Sequence, residues 1–390
     1  MKKRVLSTAL AAIMCAAVLS GCGGDKPAET PAEGTEATEG TESTEGADAG
    51  AAAEGEYAMI SGTTTPDAHP YNLGLVKLSE LLSEKTGGAV TLDVFGNSQL
   101  GGERDLIEGL QLGTVQMTCV STAPLSGFTD MFLVFDLPFI FETTEIARAV
   151  MDSEVGTEIL HSVDEQGLVG LAWFENGFRN VTNNKGPIEK PEDLKGVKIR
   201  TMENPMHMAA FSVMGADPTP MAMGEVFTAL QQGTIDAQEN PVPIIETNKF
   251  DEVQKYISMT GHLYSPAPVF VAKDYFEALP AEYQTALQEA ADEAVPYQRE
   301  QIDIQTEEGL KALEERGMVA NYPEKAAFKE ATASIYTDYV KEGAGFVSPE
   351  IYARVEEVIA SVGSGSDAAD ETAPEEAPAD DAAADEAAAE

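Results

Sequence analysis

The 390-residue chain predicts an α/β protein built as two lobes, and three observations carry this. Between two tails of low complexity lie about 300 residues, long for one hydrophobic core and comfortable for two. Within them the apolar spacing switches repeatedly between a helical and a strand period, the pattern of α/β folds with short turns. One helix–turn–strand unit also occurs twice: Leu110-Gln111-Leu112-Gly113-Thr114-Val115 returns as Leu230-Gln231-Gln232-Gly233-Thr234-Ile235, 120 residues on from Gly113 to Gly233. Each copy supplies a helix end, a glycine free to turn left-handed and a β-branched start to a strand.

The N-terminus is basic, with Lys2, Lys3 and Arg4 ahead of an apolar run from Val5 to Leu19 and then Ser20-Gly21-Cys22. This is the pattern of a lipoprotein signal over residues 1–21, cleaved before Cys22 so that its thiol carries the lipid. An ordinary signal peptide or short anchor is the other reading, although the run is shorter than the roughly 20 residues a spanning helix requires. Residues 22–56 form a segment that from Asp25 to Glu56 is mostly Glu, Thr, Gly and Ala with a single Lys, and 363–390 are acidic and small with no base. Neither can bury enough apolar surface to offset chain entropy, so both are expected to be disordered. The first would act as a tether of about 34 residues with a coil dimension on the order of 30 Å.

The formal net charge of −43 argues against nucleic acid and anionic lipid surfaces as partners. It also means that any anion site must rest on local cations and salt screening. A calcium binder would suit the charge, but no Asp-x-Asp-x-Asp-Gly loop occurs, and neither a metal nor a cofactor is expected. With Cys15 in the signal and Cys22 lipidated, Cys119 has no partner, and its alternating surroundings predict a buried, inert thiol in a strand.

Through the body, Leu75, Leu78 and Leu82 mark a helix that stops at Gly87-Gly88, and Val90, Leu92 and Val94 alternate as a strand. Leu106, Ile107 and Leu110 mark a helix closed by Gly113, and Val115, Met117 and Cys119 the next strand. A strand over Leu168–Trp173 is followed by an aromatic and amide-rich stretch, Phe174 to Asn180, read as a loop. Val197 and Ile199 alternate toward Arg200, which places that guanidinium at the carboxyl end of a strand, where open α/β sheets bind ligands. Ala281–Glu315 is helical throughout apart from Pro296.

Enzyme signatures are sparse: there is no Gly-x-Gly-x-x-Gly, Walker Gly-Lys-Ser/Thr, Gly-x-Ser-x-Gly or Cys-x-x-Cys. The four histidines have no metal-ligand spacing. His69 lies in a loop ahead of a helix and could line a cleft, whereas His207, on a Met-rich helix, reads as packing or surface.

Several blocks carry a more specific signal. Ala216 to Pro241 contains Pro218-Thr219-Pro220-Met221, Gly233-Thr234-Ile235-Asp236 and Gln238-Glu239-Asn240-Pro241. Gln99-Leu100-Gly101-Gly102, Ser121-Thr122-Ala123-Pro124-Leu125, Asn176-Gly177-Phe178-Arg179 and Leu194 to Arg200 accompany it. In this order and spacing the region from Tyr57 to about Val362 resembles the solute-binding proteins of TRAP (tripartite ATP-independent) transporters, in their dicarboxylate-binding, DctP branch.

The resemblance implies a two-lobed, class II periplasmic-binding-protein-like fold, with a hinge and a long helix shared by both lobes, which Ala281–Glu315 resembles. The chain would cross between lobes near Asn176 and again near Ser265-Pro266. Lobe I would comprise residues 57–176 and 266–305, and lobe II residues 177–265 and 306–362. The resemblance also implies that Arg200 grips a substrate carboxylate, for which its planar fork and permanent charge are suited. Arg179 falls at the family's second arginine, and Asn240 at the asparagine that orients ligand. Met223 replaces an aromatic common in this branch, leaving a softer wall. Trp173, Glu175, Asn176 and His69 could satisfy hydroxyls beside the carboxylate, and Glu103 and Ser121 are further candidates.

The implied function is capture of an organic acid anion outside the cytoplasm, on a receptor tethered through Cys22, for the small and large membrane subunits of a TRAP importer, with no covalent chemistry. The hydroxyl-directed residues favour a sugar acid such as a uronate or aldonate, with a C4-dicarboxylate as the competitor. From another class, a lipid-anchored secreted hydrolase would need an Asp/Glu pair that no motif marks.

Overall fold

The computed structural model describes residues 56–370, with side chains through residue 363. The signal, Cys22, the tether and residues 371–390 lie outside the described residues. In chain order the elements are β1 (Tyr57–Gly62), α1 (Pro70–Thr86), β2 (Val90–Phe95), α2 (Glu103–Leu112), β3 (Met117–Cys119), α3 (Thr144–Met151), α4 (Glu154–His161) and β4 (Leu168–Asn183). There follow β5 (Lys198–Thr201), α5 (Pro205–Val213), β6 (Asp217–Pro220), α6 (Met223–Gln231), β7 (Ala237–Asn240), α7 (Val242–Thr247) and β8 (Tyr256–Ala272). Last come α8 (Lys273–Ala278), α9 (Ala281–Glu315), β9 (Val319–Asn321), α10 (Lys325–Tyr339) and α11 (Pro349–Asp370).

The nine strands run in the order β2-β1-β3-β8-β4-β7-β5-β6, with β9 beside β8. Two long antiparallel strands, β4 and β8, serve both ends of this order. The carboxyl half of β8 pairs with β3 through Val269–Val271, and its amino end pairs with β9 through Tyr256–Ser258. The carboxyl end of β4, Asn180–Asn183, pairs with β7. The result is two half-sheets joined by two continuous strands, the two-lobed α/β arrangement expected.

The stretch from Phe174 to Asn180 is therefore not a loop. It is the middle of β4, sixteen residues long and buried almost throughout. The register against β8 slips between Glu175 and Gly177, opposite Pro266 and Ser265, and again between Arg179 and Val181. Such bulges bend a strand without ending it. Gly177, at φ +96°, takes a conformation that a side chain would strain. The Glu175 backbone at this irregularity is satisfied by Gln298 of α9, whose amide accepts from its N–H at 3.0 Å and donates to its carbonyl at 2.7 Å.

Helix α9 spans the predicted Ala281–Glu315 without interruption, Pro296 included. Its first half buries Ala286, Leu287, Ala290, Ala291 and Ala294 against α1, β1 and β2, and Leu313 near its end enters the separate core of α6, α7 and Ile257. One helix thus contributes to both halves, as expected. Helix α11 returns to the first half, where Ile351 and Val355 pack with Ile146, Val150 and Ile159 of α3 and α4. It continues past Gly363 to Asp370, so the stretch expected to be disordered from 363 begins as helix.

The sequence echo is structural. Gly113 and Gly233 close α2 and α6 at φ +72° and +69°, and β3 and β7 each begin four residues later, at Met117 and Ala237. Cys119 is a buried free thiol in β3.

Candidate ligand-binding site

The carboxyl ends of the parallel strands converge on one small, tightly closed pocket. Residues just past β1 contribute Thr64 and Thr65, the end of β3 gives Ser121, β5 gives Arg200, and β7 gives Asn240. Asn176 comes from the irregular middle of β4 and Tyr71 from the first turn of α1. The first residues of the two echoed helices, Glu103 and Met223, also line it, 120 residues apart like the glycines that close those helices. Met202 and Ile244 complete the wall.

Arg200 is buried, and two of its five N–H groups are spoken for: Nε and Nη2 both donate to the Met221 carbonyl, at 2.9 and 2.6 Å. The opposite, Nη1/Nη2 end of the guanidinium keeps three donors, the geometry for an end-on pair of hydrogen bonds to a carboxylate. Burial pushes its pKa down to about 10, with the Glu239 carboxylate working against the shift, so it is cationic at neutral pH.

Arg179 stands behind this wall. Its Nε and Nη2 hold the Glu239 carboxylate at 2.6 and 2.8 Å, and Nη2 also reaches the Glu239 carbonyl at 2.7 Å and Asn240 Oδ1 at 3.0 Å. His262 Nε2 meets Glu239 Oε2 at 3.1 Å. Burial alone would raise the pKa of Glu239; Arg179 and His262 outweigh it and hold the carboxyl well below the usual range. Arg179 Nη1 is buried and has no protein partner.

His69 is the N-cap of α1. Its Nδ1 accepts from the Tyr71 N–H at 3.2 Å, which places the proton of the neutral ring on Nε2. Burial lowers its pKa to about 3, with Asn176 offsetting only part of the shift. His69 Nε2, Tyr71 Oη and Asn176 Oδ1 are all buried with no protein partner at full hydrogen-bond geometry, although the His69 ring faces the Asn176 side chain and the Tyr71 hydroxyl faces Ser121. Unpaired buried polar atoms are rare and individually costly, so four in one neighbourhood, counting Arg179 Nη1, mark a place arranged for polar company.

Half-buried Glu103 accepts from the Ser121 N–H at 2.7 Å. Burial raises its pKa, while Ser121, Arg200 and Arg179 pull the other way. Outside it, Gly102, Arg104, Asp105, Glu203, Met221 and Ala222 form a mouth that shares Glu103, Arg200, Met202 and Met223 with the pocket. A Cβ added to Gly102 would stand 3.7 Å from Ala222 Cβ, and one on Gly224 would stand 3.7 Å from Ser98 Oγ. The two edges of the mouth are in reach of each other.

Of the ten residues expected at a ligand, Arg200, Asn240, Asn176, Glu103, Ser121 and Met223 line the pocket, and Arg179 and His69 lie directly behind it. Trp173 and Glu175 do not join them. The Trp173 indole donates to the Gly156 carbonyl at 3.1 Å and packs between Phe132 and Phe135. The Glu175 carboxylate is gripped by Arg148 Nε at 3.0 and 3.1 Å and accepts from the Tyr264 hydroxyl, and Arg148 in turn holds Asp303 of α9 at 2.7 Å. Both are held by structural partners: Trp173 in the core around α4, and Glu175 in the Arg148 cluster. His207, read as packing or surface, is buried against Asp136 at 3.0 Å.

Tyr71, Thr64, Thr65, Met202, Glu239 and His262 were not anticipated. The threonine run directly after an alternating strand was a readable signal; Glu239 and His262 gave none, because their partner Arg179 is distant in sequence. A larger, mainly apolar cavity lies beside Gly177, Gly261, Ile302, Leu310 and Tyr322, where Lys325 sits over the Phe178 ring at 5.5 Å. It gathers none of the four unpaired groups above.

Residues 61–342 match the family described as bacterial extracellular solute-binding protein, family 7, or DctP. The 2,3-diketo-L-gulonate-binding periplasmic protein YiaO of Escherichia coli is 38% identical over 283 residues, 72% of this chain and 86% of that protein. A TRAP periplasmic solute-binding protein from Polaromonas, solved with D-erythronate, superposes with a TM-score of 0.74 at 38% identity, covering 78% of this chain and 98% of that one. The sugar acid binding protein of Advenella mimigardefordensis, solved with galactonate, gives 0.75 at 33% identity, covering 78% and 98%. With the two half-sheets and the shared long helix in the arrangement the resemblance implied, the chain belongs to the DctP family and is a solute-binding protein of the TRAP type.

Proposed function

We propose that the protein binds a sugar acid, a uronate or aldonate, as a carboxylate on the free end of Arg200 with its hydroxyls on the neutral groups around it. The observation that carries this reading is the set of unpaired buried atoms. Tyr71 Oη and His69 Nε2 are donors, Asn176 Oδ1 is an acceptor, and Arg179 Nη1 is a charged donor. Hydroxyls give and accept hydrogen bonds at once, so a polyhydroxy acid can satisfy such a mixed set, whereas an unsubstituted diacid cannot. The relatives solved with D-erythronate and galactonate support the same class.

Binding draws the halves together about β4 and β8, whose irregularities at Gly177 and Arg179 provide the flexure, with lobe I at 57–176 and 266–305 and lobe II at 177–265 and 306–348. Helix α11 is assigned to lobe I on its packing. Closure excludes water and strengthens the ion pair at Arg200. The closed receptor then passes its cargo to the membrane subunits, and no bond is made or broken. Cys22 carries the lipid that holds the receptor at the outer face of the membrane; among the described residues no helix is long and apolar enough to cross it. Incorporation of labelled palmitate into wild type but not Cys22→Ala tests the anchor.

The functional reading is tested by a thermal-shift screen of aldonates, uronates and C4-dicarboxylates. A ligand at 100 times its dissociation constant adds about 2.7 kcal/mol of stability. Stabilisation by a sugar acid is the expected result; a response to succinate or malate alone contradicts it.

A further inference from the structure

The charged groups around the pocket bear on how many carboxylates it can take. Its fixed cations are Arg200 and Arg179. Arg179 is committed to Glu239 by two charged hydrogen bonds, so this pair brings no net charge. The imidazole of His69 is neutral, its Nδ1 acting as an acceptor. A further cation, Arg104, lies at the mouth, more than half exposed and paired with Glu108 at 3.1 Å. Among the described residues, Arg200 is the one cation that lines the pocket itself. Glu103, from the first turn of α2, lines the same pocket, anchored by the Ser121 N–H.

We infer that Glu103 restricts the pocket to monocarboxylates: it lines the same small pocket as Arg200, so a second carboxylate on the ligand would enter beside a carboxyl. This rests on the proposed sugar-acid reading and narrows it. In a site withdrawn from water, juxtaposed like charges cost several kcal/mol, and a carboxylate without a partner adds its own desolvation cost. A hydroxyl or ring oxygen at the same place is neutral, and a hydroxyl can donate to Glu103. The position is matched in the second repeat by Met223, which is apolar and so contributes no compensating charge.

The test compares galactonate with galactarate, which has the same carbon chain and secondary hydroxyls with a carboxylate in place of the terminal hydroxymethyl group, by calorimetric titration. Wild type is expected to bind galactarate at least about 30-fold more weakly; a smaller ratio overturns the inference. Glu103→Gln keeps an oxygen for the Ser121 N–H and removes the charge, and should narrow the ratio at least about tenfold. Met223→Lys supplies the missing cation without touching Glu103, and should narrow it likewise even if the first variant fails to fold. An unchanged ratio in the folded variants shows that Glu103 is not the selector, while the sugar-acid reading stands. Failure of wild type to bind galactonate, galacturonate or glucuronate removes that reading itself, and this one with it.

Discussion

The Arg179 guanidinium and the Glu239 carboxylate face each other across β4 and β7 with Nε–Oε2 at 2.6 Å and Nη2–Oε1 at 2.8 Å, both side chains withdrawn from solvent. The pair fixes Arg179 so that its remaining nitrogen, Nη1, points away from Glu239 without a protein partner. Glu239 is a positioning residue in this account, acting through the arginine it holds.

Removing that carboxylate leaves a buried guanidinium among neutral acceptors. Glu239→Gln is expected to lower stability by roughly 3 kcal/mol, the scale of breaking a buried ion pair from one side. Urea unfolding followed by circular dichroism measures it; a loss below about 1 kcal/mol would mean that the neutral acceptors around Arg179 suffice.

His69 gives a pH dependence of definite sign. Its pKa falls from the ordinary 6.5 to about 3 in the folded protein, so between these values the unfolded chain takes up a proton that the folded one refuses. Its contribution is fully present above 6.5 and is lost progressively as pH falls toward 3. At pH 4.5 the loss from this group approaches about 2.7 kcal/mol. His262, lowered by burial, acts in the same direction. Unfolding free energies at pH 7 and pH 4.5 should therefore differ by less in His69→Gln than in wild type; equal differences would show that the imidazole stays protonatable in the fold.

The echoed turns offer a test of their equivalence. Gly113 and Gly233 are both left-handed, and an added Cβ at either would meet nothing within 4 Å. Only backbone strain distinguishes alanine from glycine there, so each Gly→Ala change should cost about 1–2 kcal/mol. The double variant should show the sum, the sites being independent. A marked inequality would mean that one turn is held by more than its own backbone.

What could be read from the sequence was local. The limits of α9, the two helix–turn–strand repeats and the place of Arg200 at a strand end all follow from spacing within one element. What could not be read were polar residues whose partners are distant. Between Phe174 and Asn180 the mixture of Glu, Asn, Gly and Arg looks like a loop because strands seldom bury such groups. Here Glu175 meets Arg148, and Arg179 meets Glu239, 27 and 60 residues away. Partners supplied by tertiary structure turn an unfavourable local pattern into the central strand. The same cause misplaced Trp173 and Glu175: their chemistry suits a sugar, but the core and the Arg148 cluster claim it first.

Arg200 is the proposed carboxylate clamp, and calorimetric titration of Arg200→Lys and Arg200→Ala with the best sugar acid tests this most directly. Lysine keeps the charge but loses the planar end-on pair, and affinity should fall tenfold or more, roughly 1.4 kcal/mol. Alanine should cost on the order of 2–5 kcal/mol, since the enclosed carboxylate loses its partner. Both variants should keep the wild-type circular dichroism spectrum, because among the described residues the side-chain hydrogen bonds of Arg200 go to the Met221 carbonyl alone. A folded Arg200→Ala that binds as tightly as wild type would contradict the assignment.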